Sequence, residues 1–270
     1  MIVARSPPSR NQRVCSASQR SWRSNAMEDE VVSDDDLANS NRELRTPHLD
    51  RRSLLSVTVG ERLFDAIERE QLCDLLDELG PVAPTLLDPW TTHDIAAQLV
   101  LRENDYLAAP GLVVHGAWGR FAERRRLTCK ETAFKDLVAM IRSGPPPGLF
   151  RVRWVRRVAN LNEFFVYHED VRRGNGYGPR VMPPAEDAAL FHNVGFAPWY
   201  PARRLRKAGL ELAWAGTDKV VTARRGQPTV RVQGLPGELL LFLFGRGAAE
   251  IEITGPPEAV KALKRTQFGM

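Results

Sequence analysis

The chain has 270 residues, of which 43% are hydrophobic and 26% are charged, a composition that is ordinary for a globular protein. No apolar run approaches the roughly 20 residues that a membrane-spanning helix needs, so we expect no membrane partner. The three cysteines (Cys15, Cys73 and Cys129) are far apart in the sequence and form no CxxC pair. Their spacing excludes a disulfide framework and a cysteine-rich zinc site, and it favours a reducing, cytoplasmic location.

The basic character of the chain is confined to its first 26 residues. The formal net charge is +5, and residues 1–26 contain five arginines and no Asp or Glu. Without them, 33 basic side chains face 33 acidic ones. We therefore expect no nucleic-acid-binding surface on the folded part, because such surfaces carry a clear excess of positive charge.

Residues 1–57 are predicted to be a disordered extension. The Ser- and Arg-rich residues 1–26 have the composition of an organellar transit peptide, and the alternatives are a disordered tail or an upstream start codon with Met27 as initiator. An arginine tail that binds nucleic acid or guides import is a third, weaker hypothesis. Residues 27–50 are acidic and carry few large apolar groups, so they cannot bury enough surface to offset the entropy of ordering.

Residues 58–200 are predicted to form a helical domain. Apolar residues recur at helical spacing, and Gly, Pro and capping residues separate the periodic stretches. The four predicted helices run from near Glu61 to Gly80, from Thr91 through Arg102, over residues 118–142, and from Phe150 to Arg173. Their loops are modest apart from a longer crossing at residues 105–117, which favours a four-helix bundle.

The pattern changes after residue 201. Residues 210–214 and 219–223 alternate like strands and are joined through Gly216, and residues 229–232 form a third such run. A short helix from Pro236, a strand over residues 250–254 and a last helix follow. Residues 201–270 therefore predict a small β-β-β-α-β-α domain, and the whole chain is assigned to the α+β class.

The fourth predicted helix carries a polar stripe. Glu163, Tyr167 and Asp170 are spaced i, i+4 and i+7, so they share one face of the helix. The opposite face carries Trp154 and Phe165 and is predicted to be the core side. Periodicity therefore favours a solvated stripe. The apolar residues that flank it (Phe164, Val166 and Val171) favour the alternative of a helix that is buried on both sides.

Several motifs resemble a known family. The run from Thr91 to Glu103 resembles the second-helix signature of the DinB-like bundle superfamily. The run from Glu163 to Arg173 resembles the fourth-helix signature of its mycothiol-dependent maleylpyruvate isomerase branch and of the related actinobacterial metal-binding proteins. Similar segments occur at residues 88–90, 110–113 and 236–246. The resemblance covers roughly residues 60 to 268.

The resemblance implies a divalent metal, usually zinc, inside the bundle. In the family its ligands are a His on the second helix and a Glu and a His, four residues apart, on the fourth. The Glu is present as Glu163, whereas Gln98 and Tyr167 stand at the two His positions and His168 comes one residue late. The resemblance further implies mycothiol as the thiol cofactor, and a small thiol or an electrophilic substrate as partner.

Gln98 and Tyr167 are poor zinc ligands, so the ligand set is degenerate. His168 can replace Tyr167 only if the helix unwinds locally or contains a π-bulge, because one residue turns a side chain by about 100°. Two hypotheses follow. The chain is a thiol-dependent isomerase or transferase whose metal is held by Glu163 and His168. Alternatively, it is a non-catalytic small-ligand-binding or interaction protein, in which Gln98, Glu163 and Tyr167 form a polar cluster.

Three other charged groups are notable. Arg102 and Glu103 are adjacent and predict a local or interhelical ion pair. The arginines of residues 151–157 either meet an anionic partner or occupy exposed positions of a long helix. The basic run 203–207 lies at the predicted domain junction, where its charge suits an acidic thiol cofactor.

Overall fold

The computed structural model describes residues 63–105, 117–195 and 208–266. These residues contain a four-stranded sheet and eight helices of eight or more residues, which confirms the α+β class. The helices are α1 (Phe64–Leu79), α2 (Thr92–Asn104), α3 (Ala117–Cys129), α4 (Phe134–Ser143), α5 (Leu161–Gly174), α6 (Pro184–Val194), α7 (Pro236–Leu243) and α8 (Pro257–Arg265). The strands are β1 (Gly209–Trp214), β2 (Val220–Arg224), β3 (Thr229–Gly234) and β4 (Ile251–Thr254).

Several sequence predictions lie outside these residues. They concern the extension 1–57, residues 110–113 of the family resemblance, the basic run 203–207 and the predicted domain boundary at residues 200 and 201. Within the described parts of the chain, no helix is both long enough and apolar enough to cross a membrane.

The helical part of the molecule packs around α1 and α2. Helix α1 lies against α4 and α5, and α2 lies against α3 and α4. The predicted end of α1 and the predicted start of α2 are confirmed. Gly80 terminates α1 at a φ of 75°, and at the start of α2 Asp94 accepts a hydrogen bond from Thr91 N at 3.0 Å. The core between these helices consists of side chains that are fully excluded from solvent, among them Leu72, Leu76, Leu99, Leu137, Ile141 and Phe164.

The prediction of one helix over residues 118–142 is wrong, because the chain turns between α3 and α4. Two residues near this turn are held by the start of α2. Lys130 Nζ lies 2.7 Å from Asp94 Oδ2, and the Thr132 carbonyl oxygen lies 3.2 Å from His93 Nε2. These contacts keep the turn against α2, so the predicted apolar stripe from residue 134 onward belongs to α4 alone.

The prediction of one regular helix from Phe150 is also wrong. A 3₁₀ turn (Leu149–Arg151), a short α-helical turn (Arg153–Val155) and a π-helical stretch (Arg156–Asn160) precede α5. Asn160 is fully buried, and its Nδ2 donates to the Phe150 carbonyl at 3.0 Å, which ties the π-stretch to the turn before it. A π-turn breaks the 3.6-residue period, so Trp154, expected in the core, is 63% exposed.

The predicted element order β-β-β-α-β-α is confirmed in the C-terminal part. The strands lie in the order β2-β1-β3-β4, with β1 and β3 parallel and both outer pairs antiparallel. The turn between β1 and β2 contains Gly216 at a φ of 76°, a conformation that glycine adopts without strain.

Helix α6 was not predicted, and it builds the second core of the molecule. Its Leu190 and Val194 are fully buried together with residues of α5, α7 and the sheet, and the rings of Phe191 and Trp214 lie 5.2 Å apart. Two local signals were present in the sequence: a proline in the first turn and the acidic pair Glu186-Asp187 that follows it. The C-terminal sheet therefore packs on α5 through α6 and α7.

Helix α7 approaches α5 closely at Gly237. A Cβ atom at this position would lie 2.5 Å from Phe165 Cζ, inside van der Waals contact. We expect Gly237→Ala to reduce the free energy of unfolding by about 1–3 kcal/mol, because the two helices must separate or Phe165 must leave its rotamer. Urea denaturation measures this loss, and Gly247→Ala is the control, since nothing lies within 4 Å of a Cβ there. Equal stabilities of the two variants would contradict this packing.

Candidate functional site

The polar stripe of α5 is buried, so the solvated interpretation is wrong and the buried alternative is correct. Tyr167 is 5% exposed and Asp170 is fully buried, whereas the Glu163 side chain is 19% exposed. Two arginines from other elements compensate the carboxylates of the stripe. We call these five residues the inner polar cluster: Arg102, Glu163, Tyr167, Asp170 and Arg246.

Glu163 forms an ion pair with Arg102 of α2. Arg102 is buried, its Nη1 donates to Asn160 Oδ1 at 3.1 Å, and its guanidinium lies 4.6 Å from the centre of the Phe150 ring. These contacts fix the orientation of the guanidinium toward α5. Burial raises the pKa of Glu163, and the positive charge of Arg102 opposes that rise.

Asp170 is held by Arg246, which lies just after α7. Arg246 Nε donates to Asp170 Oδ1 at 2.9 Å, and Arg246 Nη2 donates to Oδ2 at 2.6 Å. Burial raises the pKa of Asp170, while these two hydrogen bonds act in the opposite direction. This two-point contact fixes the C-terminal part of the chain to α5 in a single geometry.

Tyr167 lies between the two ion pairs of the cluster. Burial raises the pKa of its hydroxyl far above the usual value, and the negative charge of Glu163 raises it further. The hydroxyl therefore stays protonated throughout the physiological pH range. A protonated phenol is not the anionic ligand that zinc would need at this position.

His168 does not share the environment of Glu163. Its Nδ1 lies 2.8 Å from Glu68 Oε2 on α1, while Glu163 faces α2. Helix α5 is a regular α-helix, so five residues separate the two side chains by about 140° around the helix axis. The π-stretch precedes Glu163 and does not lie between the two residues. The structure therefore does not bring Glu163 and His168 together.

The residues at the family's ligand positions do not fit a zinc site. Gln98 is a buried neutral amide, Glu163 is paired with Arg102, and Tyr167 is protonated. Across residues 63–105, 117–195 and 208–266, no group of three or more His, Cys, Asp or Glu side chains could hold a metal ion. Metal binding by Glu163 and His168 stays a prediction.

The predicted ion pair at Arg102-Glu103 is interhelical at both residues. Arg102 pairs with Glu163 of α5, and Glu103 pairs with Arg69 of α1, whose Nη1 lies 2.8 Å from Glu103 Oε2. The Arg69 guanidinium also lies 4.2 Å from the centre of the Phe164 ring. Adjacent residues of α2 thus connect it by ion pairs to α5 and α1.

A second ionic cluster joins α1, α5 and α6, and no local sequence pattern indicates it, because its residues are far apart in the chain. Arg180 Nη1 lies 2.8 Å from Glu68 Oε1, and Arg180 Nε donates to Glu169 Oε1 at 2.7 Å. Burial disfavours the charge of Glu68, but hydrogen bonds from His168 and Arg180 outweigh it and lower its pKa. Burial and the neighbouring Glu68 raise the pKa of Glu186 to about 8. Glu186 therefore keeps its proton at neutral pH.

This arrangement predicts that the free energy of unfolding falls as the pH rises from about 4.3 to about 8. A carboxyl group whose pKa rises on folding stabilises the folded state below its unfolded pKa near 4.3, and this contribution disappears as the pH rises through about 8. We expect Glu186→Gln to remove the loss and to be more stable than the native chain at pH 9 by about 2 kcal/mol. Thermal unfolding from pH 5 to 9 measures it, with the exposed Glu78→Gln as control. Parallel pH profiles of Glu186→Gln and the native chain would contradict the assignment.

Comparison with known proteins gives one distant structural relationship. No protein-family profile matches the sequence, and no curated protein matches it. Among solved structures, the chain is similar to the crystal structure of the mycothiol-dependent maleylpyruvate isomerase. The TM-score is 0.48 and the sequence identity is 12%, over 71% of this chain and 90% of that one. A likeness of this size carries no statement about metal, thiol or substrate.

Proposed function

We propose that this protein is a non-catalytic small-ligand-binding or interaction protein whose helical domain works without a metal ion. The observation that supports this most strongly is the ion pair between Arg102 and Glu163. Of the three ligand positions that the resemblance implies, only that of Glu163 carries the family's residue. The charge of Glu163 is already compensated by the buried guanidinium of Arg102.

Arg102 supplies the positive charge that a metal ion would otherwise provide beside Glu163. Its guanidinium is fixed by Asn160 and Phe150, so it cannot leave without breaking these contacts. A divalent ion at Glu163 would approach a buried like charge and would compete for the same carboxylate. The charges of the inner polar cluster therefore support a helical domain that works without a metal ion.

The Cys73 thiol of the helical core and the Tyr167 hydroxyl of the cluster are not activated nucleophiles. Burial raises the pKa of the Cys73 thiol to about 12, and the Tyr167 hydroxyl also stays protonated. Nucleophilic catalysis needs a deprotonated group or an adjacent base. Glu163, the most exposed carboxylate of the cluster, is held by Arg102 and is better suited to bind a polar ligand at the edge of the cluster.

The alternative is the thiol-dependent enzyme that the family resemblance implies. In that hypothesis Glu163 and His168 would hold a divalent metal, the thiol cofactor would be mycothiol, and the substrate would be an electrophile. This function needs a metal ion at Glu163. The non-catalytic proposal predicts that no metal ion binds there.

Restoring the family's ligand residues separates the two hypotheses. We expect the double variant Gln98→His with Tyr167→His to bind zinc at least about tenfold more tightly than the native chain, because it places imidazoles, which zinc prefers, at both positions where the family has His. Isothermal titration with zinc measures both affinities. The control is Gln98→Asn with Tyr167→Phe, which alters the same positions without adding a ligand. Zinc binding by the native chain as tight as that of the double variant would contradict the proposal.

A further inference from the structure

A surface of exposed apolar and basic side chains lies immediately before the π-stretch. Leu149, Val152 and Trp154 are 56%, 50% and 63% exposed, respectively, and exposed arginines lie between and beside them. We call this surface the Trp154 patch, formed by Leu149, Arg151, Val152, Arg153, Trp154 and Arg157. Large apolar groups that stay exposed together mark interaction surfaces.

The Trp154 patch is presented by ordered backbone. Phe150 and Val155 are buried and lie on either side of the exposed residues 151–154, and Asn160 Nδ2 donates to the Phe150 carbonyl at 3.0 Å. The buried residues fix the segment to the protein and leave the patch residues directed outward. The exposed tryptophan is therefore a fixed feature of the surface.

The patch also lies in a stretch of one-sided charge. Residues 137–162 contain five arginines and no Asp, Glu, Lys or His. Arg142 and Arg156 pair with acids of α1, whereas within the described parts of the chain no acid pairs with Arg153 or Arg157. A partner for this surface must combine negative charge with apolar groups.

Residues 28–36 of the same chain have this composition. They read Glu-Asp-Glu-Val-Val-Ser-Asp-Asp-Asp, so six of nine residues are acidic, none is basic, and two valines lie between the acidic runs. We infer that residues 28–36 dock on the Trp154 patch, with the carboxylates at Arg153 and Arg157 and the valines at Trp154.

The start of α1 lies next to the patch. Asp65, in the first turn of α1, accepts hydrogen bonds from Arg156 Nε and Nη2 at 2.8 and 2.9 Å. Arg156 opens the π-stretch that follows the patch residue Trp154. The chain that precedes α1 therefore joins the described structure beside the patch.

The connecting chain is long enough for this docking. Residues 37–63 separate the acidic segment from α1, and a random coil of that length has a root-mean-square span of about 30 Å. Tethering at this distance gives an effective concentration near the millimolar range. Nucleic acid or an anionic membrane would also suit arginine beside tryptophan, but neither has this tethering advantage.

Quenching of Trp154 fluorescence in the full chain tests the docking. A nitroxide on Ser33→Cys, in a Cys15→Ser background, is the probe, since Cys73 and Cys129 are buried. The difference in emission between the native chain and the Trp154→Phe variant gives the signal of Trp154. We expect the label to reduce Trp154 emission by about half or more, given near-millimolar tethering. Arg153→Ser with Arg157→Ser should restore the emission, and a label on Ser9→Cys should leave it unchanged.

Two results would overturn the inference. One is equal quenching, or no quenching, from the labels at residues 33 and 9. The other comes from the triple variant Asp34→Ser, Asp35→Ser, Asp36→Ser, which should bind phosphatidylserine vesicles or single-stranded RNA more tightly than the native chain if the segment covers the patch. Equal binding by the two proteins would show that residues 28–36 do not cover it.

Discussion

Replacing Arg102 with alanine is expected to reduce the free energy of unfolding by about 3–5 kcal/mol at pH 7, because it leaves the Glu163 carboxylate in the protein without its cation. The substitution also removes the hydrogen bond to Asn160 and the contact with the Phe150 ring. The loss should shrink in acid, since burial raises the pKa of Glu163 and a protonated carboxyl needs no partner. Urea denaturation at pH 5 and pH 7 measures both effects.

The matched control is Arg142→Ala, which removes an arginine paired with three exposed acids on α1. Exposed ion pairs contribute about 0–1 kcal/mol, so this variant should stay close to the native stability. Adding Glu163→Gln to Arg102→Ala should recover part of the loss. Equal stabilities of Arg102→Ala and Arg142→Ala would show that the Arg102 ion pair is not a buried one.

Replacing Arg246 with alanine is expected to cost a similar amount, about 3–5 kcal/mol, because Asp170 is fully buried and would lose both of its charge-assisted hydrogen bonds. Arg246 follows α7, whereas Asp170 lies on α5, so the substitution also weakens the attachment of the C-terminal part. Thermal unfolding measures the stability. Hydrogen exchange of α7 shows whether that helix opens before the rest of the molecule.

The control for this prediction is Arg265→Ala, which removes an exposed arginine at the end of α8. This variant should unfold like the native chain. Combining Arg246→Met with Asp170→Asn should restore part of the stability, since neither side chain then carries a buried charge. Indistinguishable unfolding of Arg246→Ala and Arg265→Ala would contradict the role of this ion pair.

The fold follows from local sequence patterns where those patterns are regular. The leucines of α1, the Thr91 cap of α2 and the alternating residues of β1 and β2 each specify their element within a few residues. The order β-β-β-α-β-α was therefore predictable. The parallel pairing of β1 with β3 was not, because alternation shows which face of a strand is buried and not which strand lies beside it.

Periodicity fails where the helical geometry changes. The π-stretch before α5 breaks the 3.6-residue repeat, so extrapolation from α5 placed Trp154 in the core, whereas it lies on the surface. The turn between α3 and α4 was missed for a different reason. It is held by Asp94 and His93, which precede it by more than 30 residues.

Only part of the candidate site could be predicted from the sequence. The stripe of Glu163, Tyr167 and Asp170 was apparent from its spacing, but its burial depends on partners far away in the chain. Arg246 follows Asp170 by 76 residues, and no local pattern connects the two. The surroundings of His168 were hidden in the same way, because Glu68 precedes it by 100 residues.

We propose that Arg102, and not a metal ion, compensates the charge of Glu163. Elemental analysis of the purified, untagged, chelator-free full chain after growth with added zinc, manganese and nickel tests it most directly. We expect much less than one metal ion per chain, and the same low value for Glu163→Gln. About one metal ion per chain, lost in Glu163→Gln, would contradict it, because metal-site proteins hold the ion through charged ligands.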